Sequence, residues 1–178
     1  MQSEQTQHSA EQGDAVVTAI TEKIESLKSQ AEAIVGDYWA YVEESNEALR
    51  LEKKIGNRIK EKPICFGPRV ENRSSGRYTK YVPNWVHYPY NPKRFTSKKV
   101  AQMGERVKPS TNKEYKLSTL LRYSTGTDDT KIVSTELKLM AIREELEMYH
   151  EMLVSIDRRA RRIERITKKY GSESNESN

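Results

Sequence analysis

The chain has 178 residues, of which 35% are hydrophobic and 32% are charged. This length fits one domain, or a small domain with appendages, and the polar composition is typical of coiled coils. The net charge of +5 indicates an acidic partner. Cys65 is the one cysteine, so an internal disulfide is excluded, which favours a reducing compartment.

The sequence does not have the pattern of a secreted or membrane-spanning protein. Its first residues, MQSEQTQHSAEQGD, are polar and do not resemble a signal peptide. No run approaches the roughly 18 apolar residues that a membrane span requires. We therefore expect a cytoplasmic protein with no membrane segment.

The N-terminal third is predicted to be a long helix preceded by a disordered tail. Residues 1–13 are polar and without period, which is typical of disorder. After them, apolar positions alternate at spacings of three and four, which predicts a helix over residues 14–60 that Pro63 ends. A second row, Val35, Trp39, Val42 and Leu49, predicts more than one packing partner. The seam itself consists of Ile20, Ile24, Leu27, Ala31, Ile34, Tyr38, Tyr41, Ser45, Ala48, Glu52, Ile55 and Ile59.

The middle of the chain, residues 61–127, is predicted to form a basic head. From residue 62 onward it holds 14 lysines and arginines against three acidic residues, with both phenylalanines and six of the ten tyrosines. Alternation and turn signals predict a small antiparallel β element over residues 64–95. The other elements expected here are a polar loop at 71–76, a short helix at 97–103 and a helix or strand at 115–123.

A second seam predicts a long helix over residues 128–170. Asp128 or Asp129 would cap its start, Gly171 would stop it, and residues 171–178 would form a disordered tail. The seam consists of Ile132, Thr135, Leu139, Ile142, Leu146, Tyr149, Leu153, Ile156, Ala160, Ile163, Thr167 and Tyr170.

Together these elements predict an α+β protein. Two long heptad helices, N- and C-terminal, would form an antiparallel coiled-coil hairpin that carries the small basic, aromatic-rich β head at its tip. Pairing of the helices between chains agrees with the pattern equally well. The apolar richness of both seams favours a homodimer.

The sequence has no pattern of a catalytic or metal site. His8, His87 and His150 are the three histidines, and none has a second His or Cys at ligand spacing. Phosphate-binding loops and the HExxH and GxSxG motifs are absent. We expect a protein that is not an enzyme and that uses no metal or other cofactor.

The cations of the head have the pattern of a nucleic-acid-binding surface. Phosphate contacts need such cations, and arginines on β ribbons also read guanine edges. The interleaved aromatic rings would stack on bases or form the core, and for Phe66, Trp85 and Phe95 we favour the core. The predicted DNA-binding residues of the head are Arg69, Arg73, Arg77, Lys80, Tyr88, Lys93, Arg94, Lys98, Lys99 and Lys108.

A second basic patch ends the C-terminal helix. Residues 157–169 carry a net charge of +5. On a helix, Arg158, Arg161, Arg162 and Arg165 share one face, which suits a helix that lies along phosphates. Favourable placement of cations near a helix C-terminus explains these residues equally well.

Several strings carry a family resemblance. They are FGPRV at 66–70, RYTKYVPNWVHY at 77–88, NPKRF at 91–95 and AIREELEMYHEML in the last helix. Through them, residues 55–170 resemble the MobI-like conjugative transfer (mobilisation) proteins of integrative conjugative elements and conjugative plasmids. The resemblance implies an accessory DNA-binding factor at the origin of transfer, which assists a relaxase as part of the relaxosome and has no catalytic residues.

Two other functions would use the same residues. A coiled-coil adaptor would dock an acidic protein through its seams or basic patches, and an RNA-binding protein would use the same basic head. The sequence leaves open which DNA sequence is recognised, and whether single or double strands are bound.

Overall fold

The computed structural model describes residues 2–56, 60–75, 77–88, 104–111 and 114–173. It confirms the α+β class, because the helices pack with a three-stranded antiparallel sheet of order β1-β2-β3. The elements in chain order are α1 (Gln2–Lys54), β1 (Phe66–Ser75), β2 (Tyr78–His87), β3 (Glu105–Arg106), α2 (Leu117–Leu120), a 3₁₀ turn (Leu121–Tyr123) and α3 (Asp129–Glu173).

Helix α1 differs from its prediction at both ends. It begins at Gln2, so residues 2–13, which were expected to be a disordered tail, are helical. Glutamine, glutamate and alanine are good helix formers, and no proline interrupts them. The helix ends at Lys54 rather than near residue 60. Gly56 follows in the left-handed region, with φ of +87°, which is the conformation in which glycine commonly ends a helix.

Helix α3 also departs from its prediction at its boundaries. It continues through Gly171 to Glu173, so the predicted glycine stop is wrong. At the start of α3, the Asp128 carboxylate accepts hydrogen bonds from residues that precede it in the chain, and it does not cap the helix. Its Oδ1 accepts from Ser124 Oγ at 2.6 Å and from the Thr125 amide at 2.8 Å, and so fixes the turn that precedes the helix.

The β element is a hairpin with two ten-residue strands. Residues 71–75, predicted as a loop, belong to β1, since Glu71 pairs with Val82 and Ser75 with Tyr78. Strand β3 pairs only with Val86 and His87 among the residues described. The rest of the predicted β element, residues 89–95, and the helix expected at 97–103 lie outside the described residues.

Helices α1 and α3 pack together through the first parts of both seams. Ile20, Ile24, Leu27 and Ala31 share one buried cluster with Leu139, Ile142, Leu146 and Leu153. Lys23 pairs with Glu145 at 3.8 Å, whereas Tyr41, farther along α1, bonds the Thr127 carbonyl just before α3 at 3.3 Å. The helices therefore run in opposite directions where they touch. The regular interlocking that defines a coiled coil stays a prediction.

The sheet lies alongside the two helices and not at their tip, which corrects the predicted arrangement of a head on a stalk. Trp39 Nε1 donates to the Pro68 carbonyl at 2.8 Å, and the Tyr81 hydroxyl donates to Glu25 Oε1 at 2.6 Å. The wide apolar stripe of α1 explains this position, because it presents surface to both α3 and the hairpin. Near Trp39, Gly67 approaches so closely that a Cβ would lie 2.6 Å from Trp39 Cζ2.

A second buried cluster joins the hairpin to the segment before α3. The Phe66 ring stacks on Trp85 at 4.8 Å and on Tyr123 at 5.0 Å between centroids. The sequence-based assignment of Phe66 and Trp85 to the core is confirmed, since both are fully buried. The other members are Tyr38, Val42, Ile64, Val107, Tyr115, Leu120 and Ile132.

Each seam leaves the core before its predicted end. In α1, Ala48, Glu52 and Ile55 are exposed, and in α3 every side chain from Arg158 to Tyr170 is exposed. The core of the molecule is therefore shorter than either helix.

Candidate nucleic-acid interface

Two arginines of β1 share one carboxylate. Arg69 Nε donates to Glu71 Oε1 at 2.9 Å, and Arg73 Nη2 donates to Glu71 Oε2 at 3.1 Å. The three residues alternate along the strand, so their side chains leave the same face. The hydrogen bond that Arg69 donates to Glu71 raises the pKa of the Arg69 guanidinium. These cations are partly neutralised within the protein, although both arginine side chains remain about two-fifths exposed, at 43% and 39%.

Lys80 of β2 is held by α3. Its Nζ lies 2.6 Å from Glu147 Oε1 and 2.5 Å from Oε2, and both side chains are mostly covered. The contact fixes the hairpin against the helix. A phosphate could reach this ammonium only by displacing Glu147, so Lys80 is the least available of the described hairpin cations.

Arg77, at the start of β2, reaches the basic end of α3. Its Nη1 lies 3.8 Å from Asp157 Oδ1, while Arg161 Nη2 lies 2.7 Å from Asp157 Oδ2. Both arginine side chains are well exposed, at 74% and 64%, whereas Asp157 is half-buried. The two basic patches that were recognised separately in the sequence therefore meet at one carboxylate.

The end of α3 extends this meeting point along the helix. We call the resulting set the joint basic surface, which consists of Arg77, Arg158, Arg161, Arg162 and Arg165. Its four α3 members are exposed, and Arg165 Nε donates to the Arg161 carbonyl at 3.3 Å. Guanidinium groups one turn apart on a solvated helix can face a strand of phosphates.

The remaining predicted residues lie elsewhere or outside the description. Lys108 follows β3 and is exposed. Tyr88 is half-buried, and its ring packs edge-on against Trp39 with centroids 5.6 Å apart, so one part of the ring is already used in packing. Lys93, Arg94, Lys98 and Lys99 lie outside the described residues, and their role stays a prediction.

The sequence analysis missed the carboxylates that hold these cations. Asp157 lies four residues before Arg161, and Glu71 lies two residues from both Arg69 and Arg73, so these partners carried a readable spacing signal. Glu147 and its partner Lys80 are distant in the chain. Their pairing depends on how the hairpin sits on α3, for which the sequence has no local signal.

A buried polar network was also missed. Glu136 and Arg143 of α3 form an ion pair, and their side chains are 2% and 4% exposed. Glu136 Oε2 accepts from Trp85 Nε1 at 2.7 Å, and the Arg143 guanidinium lies 5.0 Å from the Tyr115 ring centroid. Burial raises the pKa of Glu136, and the charge of Arg143 opposes that shift. The network fixes β2 on α3, and thereby sets the place where Arg77 meets Asp157.

The described ranges give no sign of a metal site, a membrane-spanning helix or an activated thiol. In them, no three His, Cys, Asp or Glu side chains come together as a metal site would require. The same residues include no helix of the length and apolarity needed to cross a bilayer. Burial raises the pKa of the half-buried Cys65 thiol, which disfavours the reactive thiolate.

Comparison with known proteins identifies the family. The family model described as MobI protein matches residues 27–157, which is well over half of the chain and includes the hairpin, the cluster around Trp85, most of the cluster between α1 and α3, and Asp157. No curated protein and no solved structure matches the chain. The match confirms the resemblance seen in the sequence. The chain belongs to the MobI family, which suggests a role in conjugative mobilisation.

Proposed function

We propose that this protein is a non-enzymatic DNA-binding accessory factor that binds the origin of transfer and assists the relaxase. The observation that carries the proposal is the meeting of Arg77 and Arg161 at Asp157, which joins two basic segments into one surface. Membership of the MobI family supports the conjugative context. In this proposal the protein acts as a dimer and so presents two such surfaces to DNA.

The chemistry of binding is an exchange of anions. The guanidinium groups of Arg77 and Arg161 are well exposed, so phosphates can reach both of them in competition with the Asp157 carboxylate. Phosphates bound by cations release condensed counterions, and that release drives association at low salt. The proposed contacts are the full predicted set, with Lys80 and Tyr88 acting mainly to position the hairpin.

A charge-reversal experiment tests the surface. The variant Arg77→Glu/Arg161→Glu/Arg165→Glu should raise the Kd for duplex DNA roughly 100-fold or more, since each lost charged contact contributes about 1.5–3 kcal/mol. The matched control, Lys54→Glu/Lys60→Glu/Lys62→Glu, changes the net charge equally at exposed positions near the end of α1. Equal losses in the two variants, with helicity unchanged, would remove the joint basic surface from the proposal.

The origin-specific part needs its own measurement. Binding to a random duplex and to the transfer origin of the host element should be compared across a salt titration, because only base or shape readout separates them. Adding the protein should also raise relaxase nicking at the origin. Equal affinity for both duplexes, with no effect on nicking, would contradict the relaxosome role.

The alternatives predict different results in the same titration. An RNA-binding protein would prefer RNA or single strands to duplex DNA. A coiled-coil adaptor would show little affinity for any nucleic acid near physiological salt, where screening shortens the reach of exposed charge.

A further inference from the structure

Helix α3 carries an apolar stripe on the face that points away from the core. Ala141 is exposed, and the six larger members are between 43% and 64% exposed. We call this set the outer stripe, and it consists of Leu137, Ala141, Met148, Met152, Ile163, Ile166 and Tyr170. Most singly exposed apolar residues need no explanation, but seven on one face of one helix form a stripe, which Ser155 and Arg159 interrupt between Met152 and Ile163.

The spacing places these residues on one face. At 3.6 residues per turn, all seven fall within a sector of about 80°, nearly opposite the buried Leu139, Leu146 and Leu153. Leu137, Met148 and Tyr170 are separated by multiples of eleven residues, which is close to a whole number of turns. The stripe runs for about 50 Å along the helix. In the first part of α3 the seam residues pack within the chain and the outer stripe is a second, uncovered face, whereas the seam residues Ile163 and Tyr170 lie beyond the core and belong to the stripe.

The charges beside the stripe change sign along its length. On one flank, Glu144 and Glu151 lie in the first half, and Arg158 and Arg162 lie in the second half. All four are exposed, and none takes part in an ion pair within the described part of the chain. A two-fold axis across an antiparallel helix pair brings the same flank of each helix face to face, so the acidic half of one meets the basic half of the other.

We infer that the outer stripe pairs with the same stripe of a second copy, antiparallel, about a two-fold axis near residues 153 and 154. Leu137 then lies opposite the partner's Tyr170, Ala141 opposite the partner's Ile166, and Glu144 beside the partner's Arg162. A parallel pair would set Glu144 near the partner's Glu145, with repulsion instead. This inference deepens the dimer of the proposed function, but it rests on α3 alone and not on DNA binding.

The size and chemistry of the outer stripe favour a second copy of the chain over an acidic protein or DNA as its binding partner. A strip of about 50 Å by 10 Å from each copy covers roughly 1,000 Å² in total, the threshold for a specific interface. An acidic protein would complement only the basic half of α3, and DNA has no apolar surface of matching shape to cover the methionines and isoleucines. A second copy complements both halves.

The oligomeric state tests the interface directly. Sedimentation equilibrium of the full chain should give a dimer, and Met152→Glu should give a monomer, because the change would bury a charge beside the two-fold axis. The control Val16→Glu/Leu51→Glu alters α1 residues of similar exposure, at 49% and 51%, and should remain dimeric. A monomeric native chain, or an unchanged dimer in the methionine variant, would overturn the inference.

A charge swap tests the direction of the helices. Glu144→Arg and Arg162→Glu should each weaken the dimer, and the double variant should restore it, because the two sites face each other across the axis. In a Cys65→Ser background, a short bis-maleimide should cross-link Ala141→Cys to Ile166→Cys in a mixture. Cross-linking of Ala141→Cys to itself instead would show a parallel pair and overturn the arrangement.

Failure of this inference is distinguishable from failure of the proposed function. The methionine variant leaves Arg77, Arg161 and Arg165 intact, so as a monomer it should still bind random duplex DNA with a salt dependence. The triple arginine variant should lose DNA binding while remaining a dimer. Arg158 and Arg162 belong to both surfaces, but Arg77, Arg161 and Arg165 lie off the outer stripe, so a dimer lost together with DNA binding in the arginine variant would overturn the inference.

Discussion

At the scale of single residues, Asp157 lies between Arg77 and Arg161, where a phosphate would bind in the proposed complex with DNA. A carboxylate there keeps two exposed arginines in place but also competes with DNA. Carboxylate and phosphate oxygens both accept hydrogen bonds from guanidinium groups, so in the proposed complex Asp157 and a DNA phosphate would compete for the same arginines. The charge at this residue should therefore tune affinity.

Replacing Asp157 should strengthen DNA binding. Asp157→Asn removes the competing charge, and we expect the Kd to fall roughly two- to tenfold, since exposed ion pairs contribute about 0.2–1 kcal/mol each. The slope of log K against log salt should steepen by about one for each additional phosphate bound. The control Asp37→Asn makes the same charge change at an exposed site on α1. A weaker complex in Asp157→Asn would mean that the carboxylate orients the arginines more than it competes.

The buried pair of Glu136 and Arg143 should matter for stability. Glu136→Gln leaves the guanidinium of Arg143 buried without its counter-charge, which typically costs about 3–5 kcal/mol in the free energy of unfolding. The exposed control Glu43→Gln should change it by less than about 0.5 kcal/mol. Urea unfolding followed by circular dichroism measures both. A small loss in Glu136→Gln would indicate that the pair is dispensable once Trp85 keeps a hydrogen-bond acceptor.

His150 should make stability depend on mildly acidic pH. Burial and the nearby charge of Lys80 lower its pKa, and Glu147 and Glu151 oppose the shift without cancelling it. The unfolded chain then binds more protons than the folded chain, so the free energy of unfolding falls as the pH drops below about 6.5 and levels off above it. His150→Gln should flatten this dependence. Equal slopes in native protein and variant would exclude His150 as its source.

The role of a residue could be predicted from the sequence when the size and polarity of its own side chain determined that role. Phe66 and Trp85 are large and apolar, and their place in the core was predicted correctly. The partners of Lys80 and Trp85 on α3 were not predicted, because contacts between distant segments depend on how the hairpin sits against the helix. Local spacing holds no information about that position.

At the scale of elements, the hairpin depends on one close approach. A Cβ on Gly67 would lie 2.6 Å from Trp39 Cζ2 and 2.9 Å from Tyr38 Cε1. Two aromatic side chains of α1 thus pack directly on the backbone of β1, which only glycine allows.

Adding a methyl group at Gly67 should weaken this packing. Gly67→Ala should destabilise the fold by about 1–3 kcal/mol, the usual cost of overpacking. The same change at Gly36 meets nothing within 4 Å and removes a glycine from α1, so it should stabilise by up to about 1 kcal/mol. Thermal unfolding of the two variants compares them. A neutral Gly67→Ala would mean that the Trp39 ring can move aside.

Element types were easier to predict than their limits. The heptad seams located both long helices, since only a 3.6-residue period buries such positions on one side. The polar residues Glu71–Ser75 were predicted as a loop, yet pairing with Tyr78–Val82 makes them a strand. Hydrogen bonds to the opposite strand of the hairpin stabilise an extended conformation that these polar residues do not favour by themselves.

At the scale of the whole molecule, the sheet covers a face shared by two helices, and both helices extend beyond it. Periodicity shows which face of a helix is buried but not what covers it, so the head was predicted at the tip of the helices. The exposed ends are then available for other contacts, which for α3 combine cations and the outer stripe.

Removing the exposed end of α3 should separate folding from binding. In a chain that stops after Asp157, every lost side chain whose burial the structure describes, from Arg158 to Tyr170, is exposed, so cooperative unfolding should persist with little change in its midpoint. Affinity for duplex DNA should fall at least tenfold as four arginine contacts are lost. Loss of the cooperative transition would show that this end supports the core.

Part of the cover of Trp85 comes from residues that the ribosome makes later, although Tyr38 and Phe66, which also pack on its ring, are made earlier. The Trp85 side chain is fully buried, and its indole bonds Glu136 within a cluster that includes Ile132. A two-stranded hairpin is marginal by itself in water. At about 5–20 residues per second, the nascent hairpin therefore waits for seconds before Glu136 and Ile132 complete the cover of Trp85. Synthesis of α3 ends this interval, so the order of segments in the chain makes completion of this cluster a late step of folding during synthesis.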